Sequence, residues 1–201
     1  MPEGPHPLAF FARTAILLVV LLALWWLVLA TPLVTLLRLS VETAVPLYSL
    51  AGMQATFSGV LAEGWEFRFV LNDPTPGAAK AISLTVPYGA AVAFTVSMPM
   101  YWAIAFGVPI RSQKASPLVR SFLIGSALIL LVEVFQFLIY LGVQTWRLKE
   151  QVHPTAGGLL QWFYSLAEYL AIYVVPYTAP ILIALLIHRP LRARIFAQSP
   201  R

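Results

Sequence analysis

Four long apolar stretches with almost no charged residues constrain the fold of this chain more than any other feature. They cover about residues 14–37, 84–108, 118–143 and 159–187. A typical soluble domain is about 25% charged, whereas only 10% of this chain is charged. Each stretch exceeds the roughly 20 apolar residues that a helix needs to cross a bilayer. The sequence therefore predicts an all-α membrane protein, with four transmembrane helices in one integral membrane domain over residues 1–201 and the lipid bilayer as its solvent.

The segment between the first two stretches, about residues 38–83, has a different pattern. Aromatic residues occupy every second position at Trp65, Phe67 and Phe69, and this period of two is typical of a β-strand. A turn at 62–64 separates this run from a weaker one before it. The pattern predicts a small β-hairpin over about residues 54–71. We expect its aromatic face to be covered, because an isolated hairpin is only marginally stable in water.

The basic residues are distributed unevenly around the four stretches. Eight of the 13 lysines and arginines lie before the first stretch, between the second and third or at the start of the third, or after the fourth: Arg13, Arg111, Lys114, Arg120, Arg189, Arg192, Arg194 and Arg201. Basic residues favour the cytoplasmic side of a membrane. We therefore expect a bacterial inner-membrane protein with both termini cytoplasmic and the hairpin region extracytoplasmic. Because the basic residues flank apolar stretches, we expect contact with anionic lipid and no nucleic-acid partner.

Two glutamates lie inside the apolar stretches, where ionisable residues are costly and commonly functional. Glu133 and Glu168 each lie about ten residues from the expected outer end of their helix, which predicts matching depths. Other polar residues follow or precede them at spacings of three, four and seven, which return to one helix face. The pattern predicts an intramembrane polar seam, or a contact with a partner, formed by Glu133, Gln136, Tyr140, Gln161, Tyr164, Ser165 and Glu168.

This seam has three interpretations. Its residues hold helices together or bind a partner through hydrogen bonds, they form a path for protons or ions, or the two carboxyls catalyse a reaction. The sequence contains no cysteine, phosphate-binding loop, nucleophile elbow or zinc-protease motif. The expected orientation places His153 opposite His6 and His188, so the histidines do not predict a shared metal site. We therefore expect no enzyme activity, cofactor or metal.

Two short segments resemble a known family. Val175-Pro176-Tyr177-Thr178-Ala179-Pro180 resembles, with the residue order altered, a Pro-Thr-x-Ala-Pro-like core in the closing helix of exosortase H-associated membrane proteins. Pro87-Tyr88-Gly89 resembles the family's Tyr-Gly element before an apolar helix. The matching positions are Pro87, Tyr88, Gly89, Pro176, Thr178, Ala179 and Pro180. The chain length, the four stretches and the outer segment after the first of them also agree with the family.

The resemblance implies a non-enzymatic accessory protein of an exosortase-type sorting system, which contacts the sorting enzyme or its substrate helix. Exosortases process proteins that carry a C-terminal sorting helix, and their chemistry uses a cysteine with arginine and histidine. This chain has no cysteine, so the resemblance does not extend to that chemistry. Three alternatives remain: a structural or assembly subunit of another large membrane complex, a small proton-coupled transporter that uses Glu133 and Glu168, and a membrane hydrolase of unknown type.

Overall fold

The structure is a computed structural model that describes residues 7–47, 53–71, 81–107, 115–152 and 157–188. Four of the described helices, named I to IV below, are long and apolar enough to cross a membrane: Ala9–Ala44, Tyr88–Gly107, Pro117–Leu148 and Gly158–Ile187. The predicted number of such helices is confirmed. The predicted hairpin is also present, as part of a three-stranded antiparallel sheet between helices I and II in the chain.

Helix I extends seven residues beyond the predicted end at Leu37. Its parts and the turn that follows are α1 (Pro7–Leu24), a π-helical turn (Trp25–Leu29), α2 (Ala30–Ala44) and a 3-10 turn (Val45–Leu47). The polar residues after Leu37 support the helix, because Arg38 Nε lies 3.9 Å from Glu42 Oε1, four residues further on. The α-helix ends before Pro46, since a proline has no N–H and disfavours the α conformation in the residue before it.

The sheet has one more strand than the sequence predicts. Its strands are β1 (Met53–Leu61), β2 (Gly64–Leu71) and β3 (Ala81–Pro87), in the order β1-β2-β3 with both pairs antiparallel. The turn between β1 and β2 lies within the predicted 62–64 segment. The predicted start of the second apolar helix at Leu84 is wrong, because this residue belongs to β3 and the helix begins at Tyr88.

Strand β3 is difficult to recognise because it continues directly into an apolar helix. Its apolar residues alternate with Ser83 and Thr85, which is the period of a strand. Because no charged residue separates them from the apolar helix that follows, those from Leu84 onward are nevertheless part of the predicted apolar stretch. Pairing with β2 decides between the two structures: Leu84 lies opposite Phe67, and side chains paired across strands stabilise each other.

Helix II is interrupted near its start. Its two parts, α3 (Tyr88–Phe94) and α4 (Ser97–Gly107), are separated by a turn that begins at Thr95. Pro99 has no N–H to donate to the Thr95 carbonyl, four residues earlier. The Met98 N–H bonds this carbonyl instead, with N and O 3.3 Å apart. The proline thus explains why the helix breaks one turn before it.

Helices III and IV differ in regularity. Helix III belongs to α5 (Ala115–Val152), which is continuous over 38 residues and runs past the predicted end at Val143. Helix IV has three parts: α6 (Gly158–Tyr169), a π-helical turn (Leu170–Val174) and α7 (Val175–Ile187). The π-turn directly precedes Pro176, the second residue of α7. Such turns inside α-helices are rare and are frequent at functional sites.

The described residues cluster into two compact units. One, the helical unit, takes in Met1–Ala30, Thr95–Val132 and Pro176–Arg201, so far as these ranges are described. The other, the sheet unit, takes in Thr31–Phe94 and Glu133–Val175. Each of the four helices contributes one part to each unit.

An aromatic cluster forms the core of the sheet unit. Trp65, Phe67 and Phe69, on one face of β2, are buried, which confirms the prediction that this face is covered. Phe137 of α5 packs on it, with its ring centroid 5.3 Å from that of Trp65 and 5.7 Å from that of Phe67. Phe94, at the end of α3, packs on the Phe137 ring at 5.4 Å. This cluster fixes α5 against the sheet and thereby positions the polar residues that precede Phe137.

Side-chain hydrogen bonds connect helices in the helical unit. Trp25 Nε1 donates to Thr95 Oγ1 at 3.0 Å, at the interruption of helix II. Trp102 Nε1 donates to Ser126 Oγ, also at 3.0 Å. A buried indole usually needs such an acceptor. These bonds join helix II to helix I and to helix III within this unit.

Candidate functional site

The most deeply buried part of the predicted seam lies on α5. Glu133 is 1% exposed and Gln136 is 2% exposed, and their spacing of three residues places them on one face of the helix. Gln136 Nε2 donates a hydrogen bond to the Ala171 carbonyl of helix IV at 2.9 Å. Tyr140, one turn further along, packs on the ring of Phe137. We call Glu133, Gln136 and the Ala171 carbonyl the buried group.

The π-turn in helix IV makes the Ala171 carbonyl available to a side chain. There, the Val175 N–H bonds the Leu170 carbonyl, five residues back, instead of the Ala171 carbonyl. The next N–H in this pattern would come from Pro176, which has none. A buried carbonyl without a donor is costly. Gln136 supplies that donor to helix IV.

Glu168 forms a second contact between helices III and IV. Arg147 bonds both of its carboxylate oxygens: Nη1 lies 3.0 Å from Oε1, and Nη2 bonds Oε2. Gln144 Nε2 also donates to Oε1, at 2.9 Å. The exposed fraction is 44% for the Arg147 side chain and 16% for the Glu168 side chain. Two parallel hydrogen bonds fix the relative orientation of guanidinium and carboxylate.

Aromatic stacking accompanies this ion pair. The rings of Trp146 and Tyr164 are 4.5 Å apart and inclined by 17°. Trp146 precedes Arg147 directly in α5, and Tyr164 precedes Glu168 by one turn in α6. The stack and the ion pair are therefore neighbouring contacts between the same helices. We call this set the rim cluster: Gln144, Trp146, Arg147, Tyr164 and Glu168.

Three predicted members of the seam belong to neither group: Tyr140, which packs on Phe137, and two residues of α6. Gln161 and Ser165 are exposed on α6. Ser165 Oγ donates to the Gln161 carbonyl of its own helix at 2.9 Å. The structure thus places the seven predicted residues in three settings: the buried core beside Phe137, the rim cluster, and the exposed surface of α6.

The predicted equal depth of the two glutamates is wrong. Glu168 contacts Gln144 and Arg147, which lie 11 and 14 positions beyond Glu133 in α5. At a rise of about 1.5 Å per residue, these two partners of Glu168 lie about 16–21 Å beyond Glu133 along α5. The predicted depths depend on the expected ends of the helices. They are wrong because α5 continues nine residues past its predicted end at Val143. Side-chain packing, rather than the ends of these stretches, sets the register of helices III and IV.

Gln144 and Arg147 are the functional candidates that sequence reasoning missed. The predicted third stretch ends at Val143, so both residues fall outside it. A signal for them exists, since they follow Tyr140 at spacings of four and seven and continue the face that carries Glu133. Their partner Glu168 is distant in sequence, and no local pattern identifies that pairing.

The two family-like segments lie next to changes in backbone structure. Pro87 ends β3 and Tyr88 begins α3, where the Tyr88 N–H bonds the Glu63 carbonyl at 3.3 Å. Gly89 has open space around its Cα, so packing does not require a glycine there. The second segment begins α7, directly after the π-turn: Pro176, Ala179 and Pro180 are buried, and Thr178 is exposed.

A polar contact in the helical unit involves His188, which follows the last residue of helix IV. Its Nε2 lies 3.2 Å from the hydroxyl of Tyr101, and that hydroxyl donates to the Ser121 carbonyl at 3.2 Å. The phenol hydrogen is then used, so Nε2 of His188 is the donor to Tyr101. Burial lowers the pKa of His188 below its usual value, which favours the neutral ring at pH 7. His6 and His153 lie outside the described residues.

Both polar groups between helices III and IV contain contacts that hold helices together. Among the described residues, no three His, Asp or Glu side chains are grouped as they would be around a metal ion. No family model matches this chain, and neither the curated proteins nor the solved structures include a match.

Proposed function

We propose that this protein is an integral protein of the bacterial inner membrane, with helices I to IV crossing the bilayer, both termini cytoplasmic and the sheet outside. Helix I supports this proposal, because few residues in its most apolar stretch are buried. Val19, Leu27 and Val28, for example, are exposed. Apolar surface of this extent is unfavourable in water and favourable in lipid.

Reporter fusions test the proposed orientation. A reporter placed after Arg194 should be cytoplasmic, and one inserted near Gly77 should be periplasmic, because most basic residues lie on the first of these sides. Alkaline phosphatase is active only outside the cytoplasm, and green fluorescent protein exported by the general secretory route fluoresces only inside. The same result at both positions would contradict four crossings.

We further infer a non-enzymatic accessory role in an exosortase-type sorting system, in which the protein contacts the sorting enzyme or its substrate helix. The observation that carries this inference is the internal pairing of polar groups: Gln136 bonds Ala171, and Arg147 bonds Glu168. Such contacts suit a scaffold, since they fix two helices without a bound substrate. The resemblance at 87–89 and 175–180 supports the sorting system as the setting.

The rival functions have different support. Proton transport by Glu133 and Glu168 is supported less, because Arg147 holds Glu168 and the α5 residues that bind Glu168 lie 11 and 14 positions beyond Glu133. A structural subunit of another membrane complex has the same physical support as the sorting role. Only the identity of the partner distinguishes these two.

Gene deletion and purification test the sorting role. In the deletion strain, proteins with a C-terminal sorting helix should remain unprocessed, and the wild-type chain should restore processing. A tagged chain solubilised in mild detergent should copurify with the exosortase. Phe135→Leu is a matched control, because this side chain of α5 is exposed and its replacement should also restore processing. Normal processing in the deletion strain, with another complex copurifying, would contradict the sorting role.

A further inference from the structure

Two of the tyrosines that helix IV exposes near its middle pack against each other. Tyr169 is 56% exposed and Tyr173 is 63% exposed, and their ring centroids are 5.4 Å apart. Trp162 and Leu166 are also exposed, and spacings of four, three and four residues place all four side chains on one side of the helix. We call these four residues the tyrosine face.

The tyrosines lie at a depth where polar groups are unusual. Helix IV extends from Gly158 to Ile187, so Tyr173 is at its middle. Tyr169 lies four residues away, about 6 Å along the axis. The apolar layer of a bilayer is about 30 Å thick and reaches about 15 Å to either side of its centre. If helix IV crosses the membrane as proposed, both hydroxyls lie inside this layer.

The exposed surface of helix I shows the usual composition of a lipid-facing helix. Its exposed large residues between positions 16 and 28 are aliphatic apart from Trp26: Ile16, Val19, Val20, Leu24, Leu27 and Val28. None of these aliphatic side chains can form a hydrogen bond. The contrast indicates that the tyrosine face is adapted to something other than lipid tails.

A tyrosine hydroxyl in hydrocarbon needs a hydrogen-bond partner. Tyrosine normally lies at the membrane surface, where water and lipid headgroups bond its hydroxyl. In the apolar layer an unbonded polar group is costly. Neither Tyr169 nor Tyr173 has a hydrogen-bond partner within the part of the chain that the structure describes. A partner from outside this part of the chain would supply the missing acceptors.

We propose that the tyrosine face binds the membrane helix of a sorting substrate, through hydrogen bonds from the hydroxyls of Tyr169 and Tyr173. This inference rests on the proposed function. The bound helix carries acceptors one turn apart, either Ser and Thr hydroxyls or carbonyls left accessible by Gly and Ala. It needs small residues, because all four residues of the tyrosine face are large and close helix packing requires small residues on one side. A second copy of this face lacks them, which disfavours self-association through it.

Photo-crosslinking in membranes tests this proposal. A benzophenone amino acid replaces Tyr173 in the full-length chain, which is produced together with a tagged protein that has a C-terminal sorting helix. The matched control carries the same amino acid at Val20, an exposed position near the middle of the lipid-type surface of helix I. We expect an adduct with the tagged substrate from position 173 and none from position 20.

Removing only the hydroxyls tests the proposed chemistry. Tyr169→Phe with Tyr173→Phe keeps both rings and should lower the amount of substrate recovered with the chain about five- to tenfold, given the modest strength of hydrogen bonds between membrane helices. Val19→Ala with Val20→Ala should leave recovery unchanged. Melting temperatures of the purified variants in detergent should match that of the wild type, which separates lost binding from lost folding.

The possible outcomes separate this inference from the proposed function. Unprocessed substrates in the deletion strain, without a substrate adduct at position 173, overturn the inference and leave the sorting role standing. An adduct with a second copy of the chain, or equal recovery with the double Phe variant, also overturns it. Normal processing in the deletion strain overturns the sorting role itself.

Discussion

The buried group and the rim cluster join the same two helices by different chemistry. In the buried group, the neutral amide of Gln136 donates to a backbone carbonyl, and the residue is almost wholly buried. In the rim cluster, Arg147 and Glu168 form an ion pair, and the arginine side chain is half-exposed. Removing a charge from water costs far more than removing an amide. The comparison shows how burial along one helix pair selects the kind of polar contact.

The two contacts should also differ in what their loss costs. When one partner of the rim pair is removed, the other can turn to solvent, and exposed pairs contribute about 0–1 kcal/mol. When Gln136 is removed, the Ala171 carbonyl stays buried and loses its donor, which costs about 1–3 kcal/mol. Substitutions in the buried group should therefore have the larger effects.

Glu133→Leu should have the largest effect of the polar substitutions, lowering the free energy of unfolding by about 2–3 kcal/mol. The Glu133 side chain is enclosed by protein and interacts there with neighbouring groups, and leucine cannot form hydrogen bonds. Glu133→Gln keeps the shape and the hydrogen-bonding groups and should cost less than about 1 kcal/mol. Denaturant unfolding in detergent, followed by tryptophan fluorescence, measures both. Equal stability of the two variants would remove any polar role for Glu133.

Gln136→Leu should cost about 1–3 kcal/mol, because the Ala171 carbonyl then has no donor. Its neighbour Phe135 is exposed, so Phe135→Leu should be nearly neutral and serves as the control. The same unfolding measurement compares the two. A smaller loss for Gln136→Leu than for Phe135→Leu would contradict the role assigned to the buried group.

The origin of the Gln136 effect can be tested with Pro176→Ala. This change restores a backbone N–H next to the π-turn, which can bond a carbonyl of helix IV in place of Gln136. Gln136→Leu should then cost about 1 kcal/mol less in the Pro176→Ala background than in the wild type. A double-mutant cycle on detergent unfolding gives this coupling energy. Additive effects would show that Gln136 does not compensate for the proline.

In the rim cluster, Arg147→Met and Glu168→Gln should each cost about 1 kcal/mol or less, with a coupling of about 0.5–1 kcal/mol. Because the pair is partly exposed, 1 M NaCl should reduce this coupling. The Gln136–Ala171 bond joins two neutral groups and should not respond to salt. If the coupling energy between Arg147 and Glu168 were unchanged in 1 M NaCl, the ion pair would be less accessible to solvent than the exposure of Arg147 indicates.

The smallest effects should come from Gln161→Ala and Ser165→Ala, each within about 0.5 kcal/mol of the wild type. Both residues are exposed on α6, and Ser165 bonds only within its own helix in the described structure. Unfolding in detergent tests this point as well. A larger loss at either position would indicate that the predicted seam extends beyond the two groups found here.

Local periodicity accounts for the parts of the fold that the sequence predicts well. The alternation at Trp65, Phe67 and Phe69 predicts a strand with one covered face, and the structure buries these three side chains. The same period is present in β3 at 81–87, but the apolar helix that follows hides it. The apolar composition of residues 84–108 favours a single long helix. Only the pairing of β3 with β2 reveals the strand at its start.

The candidate site was predictable on one helix and not across two. The spacing of Glu133, Gln136 and Tyr140 identifies a polar face of helix III from the sequence alone. That spacing does not reveal that Gln136 bonds a backbone carbonyl, because the availability of Ala171 depends on the π-turn. The pairing of Arg147 with Glu168 depends on the register between the helices, which neither helix specifies alone.

The sequence by itself determined the features that depend on neighbouring residues: four long apolar helices, a hairpin with an aromatic face, and polar residues on one side of helix III. These follow from periods of two and 3.6 residues and from the length of uncharged runs. The tertiary structure alone decided which polar groups meet. Glu133 and Glu168 have the same chemistry and similar local sequences of apolar residues, yet one is enclosed and the other is held by Arg147. Their difference arises because the packing of two helices fixes their register through side chains that are distant in the chain.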